Sequence, residues 1–348
     1  MKGELNLISR IALMGAGSLG TTLGAFLSKA GYDIILVDAY KAHVDVLNET
    51  GAHIIGAIDE VIPVKACYAD AMEGTFDLFI YMAKQTYNDV AIPQMLAHSH
   101  DKTIIVTCQN GLPEPGVAKY FPKERVMGAP IAWGGIFQGP GCTYLTVAPD
   151  KMFCTIGTYT GEHTSQLEEV AKILSAGNAV TVSDNLMGLR WCKLTLNACF
   201  SGVSTITGCN FGEIIQDPEL MRLVAYIGRE CVLTAKAGGV KMEPYHFGGE
   251  EYHFEEFYDF PGDDPDMKVI TDAAVGYLMP AAPTIASMLQ DIKRDLRCEV
   301  DGITGAVCDA GDAGGIDTPV NDQLRDMIKK IEAGKMPYER ANAKLIKF

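Results

Sequence analysis

The stretch that most constrains this chain is LMGAGSLGTTLGAFLSKAGYDIILVDAY, from Leu13 to Tyr40. Gly15, Gly17 and Gly20 stand in G-x-G-x-x-G spacing between an apolar run that reads as a strand (11–15) and a segment with one apolar face that reads as a helix (21–30). A second apolar run follows and closes on Asp38. The glycine spacing alone says little. A strand before it, a helix after it and an acid at the end of the next strand make it specific. Gly15 allows a tight turn, Gly17 lets a pyrophosphate approach the backbone, and Gly20 lets helix and strand pack closely. The loop residues Ala16, Ser18 and Leu19 then carry backbone amides toward the phosphates, helped by the positive end of the helix dipole. Asp38 is placed to accept hydrogen bonds from both adenosine ribose hydroxyls and to repel a 2′-phosphate. NAD(H) is therefore expected over NADP(H). Lys41, three residues on, offsets part of that repulsion and keeps NADP(H) open.

Further apolar runs at 76–82 and 103–108, separated by helical segments, predict a parallel sheet covered on both faces. The Gly- and Pro-rich region 134–151 reads as extra strands completing that sheet. From Asp184 onward the apolar spacing is helical, in 188–205, 219–237 and 285–307. The expectation is an α/β chain: an N-terminal Rossmann-type doubly wound sheet in residues 1–183, then an all-helical domain in 184–348. Within the latter, HFGGEEYHFEEFYDFPGDDPD (246–266) reads as an acidic insertion whose aromatics pack on the domain. Its His246, Glu250, Glu251, His253, Glu255 and Glu256 follow no metal-ligand spacing, and no metal is expected.

The net charge of −15 argues against nucleic acid or an anionic membrane surface as partner. No run of about 18 apolar residues suggests a membrane span, and the N-terminus is too short and charged for a signal peptide. Ten cysteines are scattered singly without C-x-x-C, as expected of buried thiols in a reducing cytosol, so the expected location is cytoplasmic.

In LRWCKLTLNACFSGVST, Lys193, Asn197 and Ser201 recur every four residues, which on an α-helix makes a slowly drifting polar stripe. Asn and Ser are mediocre helix formers, so propensity does not account for them. A solvent-facing stripe and a site weigh equally on this segment alone. In 285–307, Ile285, Leu289, Ile292, Leu296, Val300, Ile303 and Val307 are expected to face a core. Glu299 lies close to that face, where a carboxylate needs a partner. A lysine from a facing helix would supply one; solvent at the helix edge is the alternative.

Four segments resemble, in order, the ketopantoate reductase (2-dehydropantoate 2-reductase) family: GAGSLG at 15–20, QNG at 109–111, KLTLN at 193–197, and SMLQDI with Glu299 twelve residues after its serine. The resemblance implies a Rossmann domain and an all-helical domain with the active site in the cleft between them. It implies reduction of 2-dehydropantoate to pantoate by NAD(P)H, with lysine as general acid, in pantothenate biosynthesis. It makes Lys193 the catalytic lysine, Glu299 the essential glutamate, and Asn110 the asparagine near the nicotinamide and the lysine. Asn197 and Ser287 match substrate-binding positions, and Lys84 a lysine near the cofactor. Ser201 stands where the family has a second asparagine that would bind substrate, and Asp38 where NADPH-using members have a basic residue.

A straight helix from Ser287 to Glu299 would hold them about 18 Å apart. Both can serve one small substrate only if the helix starts late, after Pro283 and Thr284, or the chain bends. The expected partner is a small 2-oxo acid, and fold analogy adds a homodimer through the helical domain. Two other readings remain: an NAD-dependent 2-hydroxy-acid dehydrogenase acting on another branched or aromatic 2-oxo acid, and a non-catalytic NAD(H)-binding sensor.

Overall fold

The computed structural model describes residues 8–262 and 264–348. Residues 1–7, which carry much of the signal-peptide argument, and Asp263 of the 246–266 stretch lie outside them. The chain divides into two compact units, residues 1–109 with 113–186, and 110–112 with 187–348.

The first unit runs β1 (Ile11–Met14), α1 (Ser18–Lys29), β2 (Ile34–Asp38), α2 (Lys41–Thr50), β3 (Ala52–Gly56), β4 (Glu60–Ile62), β5 (Lys65–Tyr68), β6 (Phe76–Tyr81), α3 (Asn88–Ala97), β7 (Ser99–Thr107), α4 (Glu114–Val117), β8 (Val126–Gly128), β9 (Gly135–Gly139), β10 (Cys142–Leu145), β11 (Phe153–Thr158), α5 (Ser165–Leu174) and β12 (Ala179–Val182). Eight strands form one sheet in the order β12-β11-β8-β7-β6-β1-β2-β5. Every pairing in it is parallel except β8 with β11. The continuous apolar runs have a plain cause. Alternate residues of β1 and β6 feed two separate cores, one on each face: Ile11, Leu13, Leu78 and Ile80 enter one, and Ala12, Met14, Phe79 and Tyr81 the other.

The strands expected in 134–151 form, but they do not complete this sheet. β9 and β10 join β3 and β4 in a second sheet, ordered β4-β3-β10-β9. The physical reason is α1: buried Thr143 and Leu145 on β10 face inward, and the Thr143 hydroxyl bonds to the Ser18 carbonyl at the start of that helix.

The second unit runs α6 (Leu186–Leu196), a π turn at Asn197–Ser201, α7 (Gly202–Thr207), α8 (Phe211–Ile215), α9 (Pro218–Ala237), β13 (Tyr245–Phe247), β14 (Glu250–Tyr252), α10 (Phe254–Tyr258), α11 (Met267–Leu278), α12 (Ser287–Ile292), α13 (Thr304–Gly314) and α14 (Pro319–Glu332). α9 is its central helix. Asp217 caps it by accepting from the Glu219 and Leu220 amides, and Pro218 opens it. The 246–266 stretch contributes a short hairpin and α10. Phe254, Tyr258 and Phe260 are buried, and the rings of Tyr245, Tyr252 and Phe254 surround Tyr277 of α11.

Residues 285–307 are not one helix. α12 stops after six residues in a Schellman turn: the Leu296 amide bonds to the Asp291 carbonyl and the Asp295 amide to Ile292. Asp295 takes the left-handed conformation, φ 55°, that this turn needs. Leu289, Val300, Ile303 and Val307 are buried as expected, but Leu296 lands in the turn, 45% exposed. Val300, Ile303 and Val307, after the break, join Met288 of α12 in one apolar core. No helix among the described residues is long and apolar enough to cross a membrane, and eight of the ten cysteines are buried.

Candidate active site

β1 ends at Met14 and the chain turns at Gly15, whose φ is +99°. The amides of Gly15 and Ala16 both bond to the Val37 carbonyl, at 2.8 and 3.2 Å. A Cβ on Gly15 would meet the Ala83 nitrogen at 2.3 Å, and one on Gly20 the Gly15 carbonyl oxygen at 2.1 Å. The chain's own packing therefore demands both glycines. Gly17 is different: a Cβ there meets nothing within 4 Å. Above it lies open space at the start of α1, a helix with no side-chain cap. A loop with this opening and with the first-turn amides of Ser18 and Leu19 fits a pyrophosphate. Asp38 stands half-buried at the end of β2, its Oδ1 accepting from the Tyr40 amide at 2.8 Å. The Lys41 ammonium lies 5.3 Å from the centre of the Tyr68 ring, an engagement that draws it toward β5.

The strand order reverses between β1 and β6, the place where open α/β sheets hold their ligands. Lys84, half-buried, follows β6 at this point. A buried polar network fixes its approach. Gln109 Nε2 donates to the Ala83 carbonyl at 2.7 Å and to Asn88 Oδ1 at 3.1 Å, while Thr107 Oγ1 donates to Gln109 Oε1 at 2.9 Å. The Tyr81 hydroxyl donates to the same Asn88 oxygen. Burial pushes the Tyr81 phenol far above its ordinary range, so it stays a donor. Gln109 was not among the candidate residues, although it adjoins Asn110 in the QNG motif; the motif's place just past β7 was the available signal.

In the second unit Lys193 and Asn197 are half-buried and Ser201 is buried. On a regular α-helix, each four-residue step overshoots a full turn by about 40°, so a stripe from Lys193 to Ser201 would drift by about 80°. The π turn over Asn197–Ser201 holds about one residue more per turn and reverses the second step. Ser201 thus returns toward the phase of Lys193. Residue spacing alone does not announce this turn.

Glu299 is 5% exposed, and its Oε2 accepts from Asn110 Nδ2 at 3.2 Å, both residues belonging to the second unit. A solvated helix edge does not describe it. Two neighbours fix the chain beside it: Glu332 Oε1 accepts from the Cys298 amide at 2.7 Å, and Asp301 pairs with Lys329 at 2.6 Å and Arg325 at 3.5 Å. Ser287 is exposed at the first position of α12. The preceding Ala286 amide bonds to the buried Ser204 Oγ at 3.3 Å, and Ser204 in turn donates to the Cys209 carbonyl. Neither Glu332 nor Ser204 was picked out from the sequence.

Residues 11–160 match the family model described as Ketopantoate reductase PanE/ApbA, and residues 185–332 that described as Ketopantoate reductase PanE/ApbA C terminal. The chain belongs to the ketopantoate reductase family. It is 27% identical over 340 residues to the 2-dehydropantoate 2-reductase of Archaeoglobus fulgidus, covering 94% of this chain and 99% of that one. The Streptococcus pyogenes serotype M1 enzyme of the same name is 24% identical over 330 residues, with 93% and 98% covered. A solved PanE/ApbA family ketopantoate reductase from Ralstonia eutropha aligns with a TM-score of 0.76 at 25% identity, covering 94% and 99%. D-mandelate dehydrogenase, in its ternary structure with NADH and anilino(oxo)acetate, aligns with a TM-score of 0.79 at 21% identity, again covering 94% and 99%, and shares the fold. This ketopantoate reductase family member is an NAD(P)-dependent oxidoreductase.

Proposed function

We propose that the protein reduces 2-dehydropantoate to pantoate, with NADH as the preferred cofactor. The observation that carries this reading is the buried Glu299 carboxylate held by Asn110, in a chain whose curated relatives carry the name of that reaction. Bound NADH supplies the hydride. Negative charge then gathers on the ketone oxygen, and Lys193 is assigned to it. A lysine is a cation at neutral pH, so its ammonium stabilises that charge and then gives up a proton to complete the hydroxyl. Glu299 orients Lys193 or the substrate hydroxyl, and Asn110 holds that geometry. Asn197, Ser201 and Ser287 are assigned hydrogen bonds to the substrate carboxylate and hydroxyl. In the first unit, the amides of the Gly15–Gly20 loop and Lys84 receive the phosphates, and Asp38 receives the adenosine ribose.

A second reading keeps the chemistry and changes the substrate to another branched or aromatic 2-oxo acid. Two residues favour it: Asp38, which suits NAD, and Ser201, which lacks the amide of the family's asparagine. A homodimer and a cytoplasmic location complete the proposal; a dimeric ketopantoate reductase from Staphylococcus aureus has the same fold. The deciding experiment follows NADH and NADPH absorbance with a panel of 2-oxo acids. Turnover of 2-dehydropantoate well above the rest supports the first reading. Preference for another oxo acid replaces it with the second, and nucleotide binding without turnover of any would leave only a sensor.

A further inference from the structure

The glycine loop is held by side chains that its motif does not contain. Thr21 Oγ1 donates to the Ala16 carbonyl at 2.7 Å, and the Thr21 amide bonds to the Gly17 carbonyl at 2.8 Å. The same hydroxyl lies 3.0 Å from His43 Nε2, and His43 Nδ1 lies 2.8 Å from the Gly141 amide nitrogen. Thr21 and His43 are both buried, at 0% and 1% exposure. The direction of this chain follows from the inventory of protons. An amide N–H can only donate, so Nδ1 presents its lone pair to Gly141. The neutral ring then carries its hydrogen on Nε2 and donates it to Thr21, which spends its own hydrogen on Ala16. An imidazolium would set an N–H against the Gly141 N–H.

We propose that His43 is a positioning residue for the dinucleotide: through Thr21 it fixes the Ala16 peptide, and with it the amides that follow in the loop, and it does so only as the neutral Nε2–H tautomer. The inference rests on the reading that this loop holds NAD(H). It assigns a task to the second sheet, whose β9–β10 turn supplies Gly141 and whose Gly135 carbonyl accepts from Ser18 Oγ at 3.1 Å. The groups facing the ring are Thr21 from α1, the Phe137 ring from β9 at 5.2 Å, the Gly141 amide from the turn, and the Asp38 carboxylate, which acts on the ring through its charge from the end of β2. Burial disfavours the charged ring more than Asp38 favours it, so its pKa lies below the ordinary histidine value. Acid should therefore loosen the loop and weaken the cofactor.

The test is calorimetric titration of NAD⁺ into wild type, His43→Gln and His43→Phe at pH 7.5 and 5.5, with circular dichroism as the check on folding. Glutamine keeps a planar donor and acceptor and cannot gain a charge. Phenylalanine fills the space without either bond. Wild-type Kd is expected to rise several-fold at pH 5.5, and His43→Gln to bind within about threefold of wild type at pH 7.5 without that rise. For His43→Phe, losing the bonded chain is expected to raise Kd about tenfold at both pH values. Wild-type binding that ignores pH, a pH response that survives in His43→Gln, or wild-type affinity in folded His43→Phe would each overturn the inference; if His43→Phe does not fold, the glutamine variant decides. If wild type binds neither NAD⁺ nor NADPH at either pH, the cofactor reading itself fails and takes this inference with it.

Discussion

Replacing Glu332 by alanine removes the carboxylate that accepts the Cys298 amide, one residue before Glu299. Cys298 is 3% exposed, so water does not readily replace that acceptor. A hydrogen bond to a charged group contributes about 1.5–3 kcal/mol, and an unsatisfied buried amide costs about 1–3 kcal/mol. A loss of about 2 kcal/mol in stability is therefore expected from the variant. The remaining clamps, Asp301 with Lys329 and Arg325, are partly exposed pairs contributing less than about 1 kcal/mol each. Bonds from the Ile303 amide to the Glu299 carbonyl and from the Gly305 amide to the Val300 carbonyl hold the chain after Glu299, so the variant is expected to loosen the chain before it. A displacement of about 1 Å at a catalytic group costs about 100-fold in rate, so kcat/KM should fall between about 10- and 100-fold. NADH affinity, which the proposal assigns to the glycine loop, should not change. Urea denaturation, steady-state NADH oxidation and a fluorescence titration of NADH read the three quantities. Glu332→Gln keeps an acceptor oxygen and should stay within about fivefold of wild type. A Glu332→Ala variant that loses stability but keeps wild-type kcat/KM would refute the claim that this contact sets the Glu299 geometry.

Gly17→Ala should fold with wild-type stability yet lose NADH, because its Cβ meets only the space assigned to the pyrophosphate; calorimetric melting with a cofactor titration checks both halves. Gly15→Ala, forced against Ala83 at φ +99°, should lose stability outright. Glu230 is 7% exposed and accepts from the Val320 amide, the Asn321 amide and Asn321 Nδ2 at the start of α14, so Glu230→Ala should destabilise by about 3–5 kcal/mol in urea denaturation. His43 and His163 should titrate in opposite directions by NMR. His43 lies below the ordinary value through burial, so the unfolded chain takes the proton first and stability falls as pH drops below about 6.5, by up to about 1.4 kcal/mol per unit. His163 is raised by its hydrogen bonds to Glu168 and Asp184, so its contribution is complete below about 6.5 and is lost as pH climbs past its raised value.

The legible parts of this molecule are those set by local pattern. The glycine loop, its flanking strand and helix, and the turn toward helices near Asp184 each follow from spacing within some twenty residues. Glu299 was visible as a carboxylate near an apolar face, though not the Asn110 amide that meets it 189 positions away. What escaped was decided by packing at a distance. β9 and β10 read as strands, but contacts with α1, α2 and β3, distant in sequence, determine which sheet receives them. The break after Ile292 depends on Asp295 adopting a conformation usually left to glycine or asparagine, which apolar periodicity does not register. The π turn at Asn197–Ser201 leaves no compositional mark, and nothing near His43 in the sequence announces Gly141, 98 positions later, which the fold brings against it.

The central claim is that the Lys193 ammonium meets the reacting ketone oxygen. Single-turnover oxidation of prebound NADH by 2-dehydropantoate in Lys193→Ala tests it without interference from product release. A loss of roughly 1,000-fold or more in the hydride-transfer rate is expected, as for removal of a group that both stabilises the oxyanion and protonates it, with NADH bound as in wild type. Hydride transfer at a near wild-type rate would remove Lys193 from the chemistry and the account with it.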